Sequence, residues 1–172
     1  MHEIETTRLF LRRLQLTDDE SLQHTIFGDP EVMRFGDGIQ SIEWTRKWIR
    51  TRLEDDYPFH GYGPYAVVEK AGNNLLGYCG LFHFPDVNGK PEIEIGYRLA
   101  RNAWGNGFAT ESARAVRDFA FCSLGIQRII AIIDPSNIAS IHVAEKIGMH
   151  YEQDVLFEGY SYPDHVYVVI RL

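Results

Sequence analysis

Apolar and polar positions change rhythm several times along the chain, and each change marks an element. Residues 8–14, RLFLRRL, alternate. Leu9, Leu11 and Arg13 share one face and Phe10, Arg12 and Leu14 the other, which predicts an opening strand. In LTDDESLQHTIF the period lengthens. Leu22, Ile26 and Phe27 make a short helical stripe, with Thr17 or Asp18 as the expected N-cap and Gly28 as the stop. Residues 41–55 predict a second helix, capped by Ser41, with Trp44, Trp48 and either Ile49 or Leu53 on one face. An aromatic, glycine-rich link, YPFHGYGPY, leads into a hairpin of strands 65–70 and 75–84 around the turn AGNN. PDVNGKP predicts a further turn, and PEIEIGYRLA the third strand of a meander.

The loop RNAWGNGFATE follows, then a helix over residues 109–123. Ala113, Val116, Phe119 and Ala120 mark its inner face and Gly125 its end. QRIIAII is a continuous apolar run, the pattern of a strand buried on both faces. DPSN breaks it. IASIHVAEKI predicts a short helix stopped by Gly148, and MHYEQDVLFEG and HVYVVIRL two closing strands. The order is β, two helices, a three-strand meander, α, β, α, β, β. That is an α+β fold with a β-α-β crossover at its centre, read as one domain over residues 1–172.

Composition narrows the function. The chain has 172 residues, 45% hydrophobic and 24% charged, enough for a substantial core, with no repeat or low-complexity run. A net charge of −7 speaks against a nucleic-acid binder, which needs a basic face for phosphates. It suits plain solubility or a cationic partner. Residues 1–10 show no apolar core behind a basic start, and no run approaches the roughly 18 apolar residues of a membrane span. The expected location is cytoplasmic. Cys79 and Cys122 stand apart, outside any CxxC, and are expected to be reduced. The 7 histidines show no HxH or HExxH spacing, so no catalytic metal is expected.

The candidate chemistry lies in WGNGFAT. A helix leaves its first four N–H groups without intrahelical partners, and its dipole adds positive charge at that end. Gly105 and Gly107 permit a tight turn with no Cβ in the way of an anion. The loop is then either an ordinary turn or a phosphate cradle. Arg98 and Arg101 either add charge to it or are simply solvated. A dinucleotide fold competes, because strand, Gly-x-Gly, helix, strand and Asp134 imitate its fingerprint. Against it, Thr110 holds the third glycine position, five residues separate Leu99 from Gly105, and the unit comes mid-chain. Gly96 interrupts the strand EIEIGYRL, which marks a bulge or a close approach. A bulge there would splay the strand and free N–H and C=O groups for a ligand. A molecule with amides at one end and a diphosphate at the other is coenzyme A.

Taken together, TTRLFLRRL, DPEVMRFG, EIGYRLARNAWGNGFATESARAV and FCSLGIQRIIAIIDPSNIASIHVAEKIGMHYE resemble the GNAT superfamily of N-acetyltransferases. The closest likeness is to the branch of the ribosomal-protein-alanine N-acetyltransferases. The resemblance implies a mixed, mostly antiparallel central sheet of about seven strands, helices on both faces and a splayed central strand pair. It implies acetyl-CoA as cosubstrate, and a homodimer. The family's pyrophosphate motif falls on Trp104, Gly107 and Ala109. Trp104 departs from the usual Gln/Arg, but the binding groups implied are main-chain N–H groups of Gly105, Asn106, Gly107, Phe108, Ala109 and Thr110. By the same resemblance Tyr97, Arg98 and Leu99 meet the pantetheine arm through main-chain bonds and Asn137 through its side chain. Read as a residue alone, Asn137 is equally a plain N-cap. The family's helix tyrosine, which protonates the departing thiolate, is replaced by Ala144. Ser140 is the substitute implied; its alternative is a buried helix serine bonded to a carbonyl one turn back.

The reaction implied is direct attack of a primary amine on the thioester. An α-amino group, with a pKa of about 8, needs little help; a lysine-like amine, at about 10.4, needs a base. Glu94, beside the expected bulge, is the favoured base, and Glu92 and His83 are alternatives. A strand N–H near Tyr97 would serve the developing oxyanion. Trp44 and Trp48 either pack on the sheet or wall the amine site. The acceptor is a protein N-terminus, an amino acid, a polyamine or an aminoglycoside. Two other functions compete: a non-catalytic acyl-CoA-binding module, and an NAD-dependent oxidoreductase.

Overall fold

The computed structural model describes residues 3–171. Met1, His2 and Leu172, the outermost residues of the expected domain, lie outside the described residues. The strands are β1 (Ile4–Glu5), β2 (Leu9–Arg13), β3 (Pro64–Glu69), β4 (Asn74–Val87), β5 (Lys90–Leu99), β6 (Arg128–Ile133), β7 (His150–Val155) and β8 (Asp164–Ile170). They form one open sheet in the order β1-β2-β3-β4-β5-β6-β8-β7. Every neighbouring pair is antiparallel except β5 and β6. The expected strands are thus all present, and the short β1 is added at one edge.

The helices are α1 (Asp19–Leu22), α2 (Pro30–Met33), α3 (Ile42–Thr51), α4 (Tyr57–His60), α5 (Phe108–Cys122) and α6 (Ile138–Lys146). Ser41 caps α3, its Oγ accepting from Trp44 N–H at 3.2 Å. Neither Thr17 nor Asp18 caps the first helix through its side chain. A 3-10 turn, Leu16–Asp18, precedes α1. The Asp18 carboxylate faces back instead, accepting from Gln15 N–H and from both arms of the Arg12 guanidinium at 2.8 Å each. The supposed link YPFHGYGPY is in part helical. Pro58 sits in the first turn of α4, where no N–H is needed, and Gly61 closes it at φ 74. The PDVNGKP turn also shrinks: β4 continues to Val87, leaving Asn88 and Gly89, both at positive φ, to reverse the chain.

The two faces of the sheet are covered separately. On one, Ala113, Val116 and Ala120 of α5 and Ala144 of α6 pack on Leu81, Ile95 and Ile129. On the other, Leu22, Ile26, Phe27 and Ile49 pack on Ala66 and Tyr78. Each fully buried Leu or Ile contributes about 1.5–3 kcal/mol, so helices of one to four turns are held by burial more than by propensity. The alternation along β5 serves both layers. Ile93, Ile95, Tyr97 and Leu99 pack with the α5–α6 layer. Glu94 lies opposite Phe82 and Arg98 opposite Tyr78, on the α1–α3 side.

The expected splay of this strand is present, but no bulge at Gly96 makes it. Gly96 is not a bulge: it stands opposite Gly80 in a register that runs unbroken from Gly77↔Leu99 to Phe84↔Glu92. Phe82 lies across it, and a Cβ there would come within 3.1 Å of the ring. The parting is on the other edge of β5, where only Glu94↔Ile130 pairs with β6.

Candidate active site

A cavity of about 770 Å³ runs through this parting. Glu94, Tyr97, Arg98, Leu99, Trp104, Gly105, Gly107, Phe108, Ala109, Thr110, Asn137 and Ser140 all line it. Asn106 is the one expected site residue outside the lining. Its Nδ2 donates to Trp104 O at 3.1 Å, and its carbonyl accepts from Arg8 Nη1 at 2.9 Å.

At one end of the cavity lies the glycine turn. Gly105 and Gly107 hold φ of 74 and 80, left-handed values that cost other residues roughly 1–2 kcal/mol. Gly107 occupies the N-cap of α5, and no side chain caps that helix. Nothing stands within 4 Å of where a Gly105 Cβ would be. The first N–H groups of α5 therefore face an open, glycine-lined space, which fits a diphosphate. Trp104 fastens the turn to β5, its indole N–H donating to Leu99 O at 2.7 Å. That bond engages the Leu99 carbonyl, one of the groups expected to meet a pantetheine arm. The charge at this end comes from an unexpected direction. Arg98 turns away, donating to Tyr78 Oη at 2.9 Å. Arg101 lies 3.9 Å from Asp29. Arg8 stands behind the turn, outside the lining: its guanidinium lies 4.5 Å over the Phe108 ring and pairs with Glu111 at 2.6 Å. No local pattern links residues 8 and 106, so sequence reading left Arg8 without a role. Lys146 borders the cavity itself, and it shares a neighbouring groove with Arg8, Gly107 and Thr110.

At the other end, Glu94 sits on the single β5–β6 pair. Its Oε1 accepts from Ile132 N–H at 3.3 Å, so the side chain takes an amide of β6 at the parting. Burial pushes its pKa up to about 7; the Ile132 N–H and the Arg98 charge pull the other way, and Asp164 adds to the rise. Glu92, two residues earlier, has a different fate. Buried, it is clamped by Arg128 Nε at 3.1 Å and Lys90 Nζ at 3.0 Å, and Arg128 also holds Glu152. With both carboxylate oxygens engaged by cations, Glu92 serves the sheet as an ion-pair anchor. His83 shares the sheet face of Ile93, opposite to that of Glu94, and stacks on His60 with ring centroids 4.7 Å apart. Neither alternative base reaches the cavity lining. Trp48 does, and it also packs edge-on to Phe27, 5.0 Å away.

α6 forms the remaining wall. Asn137 is its N-cap, with Oδ1 accepting from Ser140 N–H at 3.2 Å. The N-cap reading of Asn137 therefore holds, and the residue also lines the cavity. Ser140 Oγ lies 3.1 Å from Tyr97 Oη, and burial of that phenol pushes its pKa up to about 12. Ala144, at the position of the missing tyrosine, is buried in the same wall.

A sheet parted at its one parallel pair, with an uncapped helix N-terminus at one end of the cavity and a buried carboxylate at the other, is an architecture that suits an acyl-group transferase. Comparison with known proteins then names the family. Residues 8–150 match the family described as acetyltransferase (GNAT) domain. The Bacillus subtilis protein YkkB is 37% identical over 155 residues, spanning 89% of this chain and 88% of its own. An acetyltransferase structure from Agrobacterium tumefaciens superposes with a TM-score of 0.83 at 27% identity, covering 99% of this chain and 95% of its own. The ribosomal L7/L12 α-N-protein acetyltransferase RimL, solved with coenzyme A, superposes at 0.80 with 19% identity, over 98% of each chain. The chain belongs to the GNAT acetyltransferase family. It is an acetyltransferase enzyme that uses acetyl-CoA. No described helix is long and apolar enough to cross a membrane.

Proposed function

We propose that this acetyltransferase moves the acetyl group directly from acetyl-CoA to a primary amine within a ternary complex, with Glu94 as base and Ser140 at the departing sulfur. The observation that carries the reading is Glu94 itself, a cavity-lining carboxylate with a pKa near neutrality at the only residue pair joining β5 to β6. Main-chain N–H groups from Gly105 to Thr110 hold the diphosphate, backed by Arg8. Tyr97, Arg98 and Leu99 on β5, with Asn137 Nδ2, flank the pantetheine arm. The thioester supplies an activated acetyl carbonyl.

Glu94 takes a proton from the incoming ammonium, directly or through one water, and the freed amine attacks. The C–N bond forms, and the carbonyl oxygen gains charge that an N–H of β5 near Tyr97 receives. The nitrogen, cationic once the C–N bond has formed, gives its second proton to solvent, and the C–S bond breaks with its electron pair on sulfur. Ser140 Oγ–H hydrogen-bonds that thiolate, whose final proton comes from solvent. No covalent enzyme intermediate is needed.

The acceptor side faces α1–α3, where Arg98 stands fixed against Tyr78 and Glu94 lies against Phe82. The acceptor is a primary amine of a protein N-terminus, amino acid, polyamine or aminoglycoside. The test is thiol release from acetyl-CoA across a panel of those four classes. Turnover with one class, abolished by Glu94→Gln, supports the reading. Turnover that survives Glu94→Gln undiminished removes Glu94 as the base.

A further inference from the structure

The side chain of Tyr97 has a task that its main chain does not explain. Tyr97 leaves β5 on the α5–α6 side, with its ring packed against the core there. Among the described residues Ser140 Oγ is the group its hydroxyl bonds, at 3.1 Å. Ser140 lies in the first turn of α6 with its N–H committed to Asn137 Oδ1.

We infer that Tyr97 is a positioning residue for the leaving group: its hydroxyl donates to Ser140 Oγ and thereby turns the Ser140 proton into the cavity. This rests on the reading of Ser140 given above. The argument is one of donors and acceptors. A hydroxyl carries one hydrogen and two lone pairs. A phenol is the more acidic of the two hydroxyls and the poorer acceptor, which favours a shared bond running from tyrosine to serine. If it runs from tyrosine to serine, both groups are satisfied, because Ser140 faces the open cavity and its hydrogen has somewhere to go. The usual escape for a helix serine is a carbonyl three or four residues earlier. Here those carbonyls belong to Asn137 and Ser136, and among the described residues Ser140 Oγ bonds to neither; its partner is Tyr97. The phenol, held neutral by burial, remains a donor across the working pH range. Ser140 is therefore set as a donor before the C–S bond breaks, and no reorganisation is needed at that moment.

The test sets the base aside. Hydroxylamine is unprotonated near neutrality, so acetohydroxamate formation from acetyl-CoA, corrected for the spontaneous reaction, reports attack and sulfur departure without the deprotonation assigned to Glu94. Wild type, Tyr97→Phe, Ser140→Ala and the double variant are compared for kcat, KM for acetyl-CoA and Tm. Phe keeps the ring and removes only the hydroxyl. The expected result is a kcat lowered about tenfold by Ser140→Ala and about fivefold by Tyr97→Phe, with KM for acetyl-CoA changed less than about twofold. Adding Tyr97→Phe to Ser140→Ala should cost nothing more, since there is no longer a hydroxyl to aim. A Tyr97→Phe kcat equal to wild type, or a loss that multiplies with that of Ser140→Ala, overturns the inference while leaving Ser140 in place. A Ser140→Ala kcat equal to wild type overturns the reading of Ser140 itself, and the role of Tyr97 with it.

Discussion

The two edges of β5 differ completely. Toward β4 the strand is paired residue by residue from Glu92 to Leu99. Toward β6 it is joined at Glu94 alone. Two carboxylates on the same strand, two residues apart, show what that difference does. Glu92 is buried in contact with Arg128 and Lys90, and it ties β5 to β6 by charge. Glu94 stands at the parting, where burial without a contacting cation raises its pKa to about 7. Strand pairing and ion pairing consume the polar groups that hold the sheet together. The groups left over where the pairing stops are the ones available for chemistry.

The sharpest way to break this comparison is to substitute both carboxylates. Glu94→Gln should lower kcat/KM with an amine acceptor by about 10²–10³-fold. In the wild type, kcat/KM should fall as pH drops below about 7, because the base must be ionised, and Glu94→Gln should lose that limb. Stability should move the opposite way. The folded-state pKa of Glu94 is raised from 4.5 to about 7. Its favourable contribution is therefore complete below the unfolded value and lost as pH rises through 7. Relative to wild type, Glu94→Gln should gain stability between pH 5 and pH 8, by up to about 3 kcal/mol, measured by urea unfolding. Glu92→Gln should do the reverse: a loss of roughly 2 kcal/mol or more, with kcat within a fewfold of wild type. Equal catalytic losses in the two variants would erase the distinction.

The glycine turn sharpens the same contrast from the other end of the cavity. Gly107→Val places a β-branched side chain at φ 80 and should raise KM for acetyl-CoA by about tenfold or more, with a smaller effect on kcat. Arg8→Ala should have the smallest effect. Its ion pair with Glu111 is half exposed, so a KM rise of about threefold, shrinking as salt is added, is expected from steady-state kinetics.

How much of this was legible in the sequence follows from distance along the chain. The Ser41 cap, the strand–glycine turn–helix unit and the stops at Gly125 and Gly148 are local patterns, and the elements stand where those patterns put them. α4 was legible in principle from Pro58 and Gly61, but the aromatic residues around it disguised it as a link. Gly96 was the misleading signal. A glycine inside a strand marks a bulge or a close approach, and here Phe82 is the close approach. The splay itself is set by the relation of β5 to β6, separated by the whole of α5, which no local pattern reports. The same limit hid the Arg8 contact at Asn106, the ion pairs that engage Glu92 and the Tyr97–Ser140 bond.

The most direct test is a crystal structure of the enzyme with acetyl-CoA. The cofactor is expected to thread between β5 and β6, with its diphosphate against the N–H groups of residues 105–110 and its sulfur beside Ser140. A cofactor bound elsewhere, with β5 and β6 still apart and nothing between them, would contradict the account.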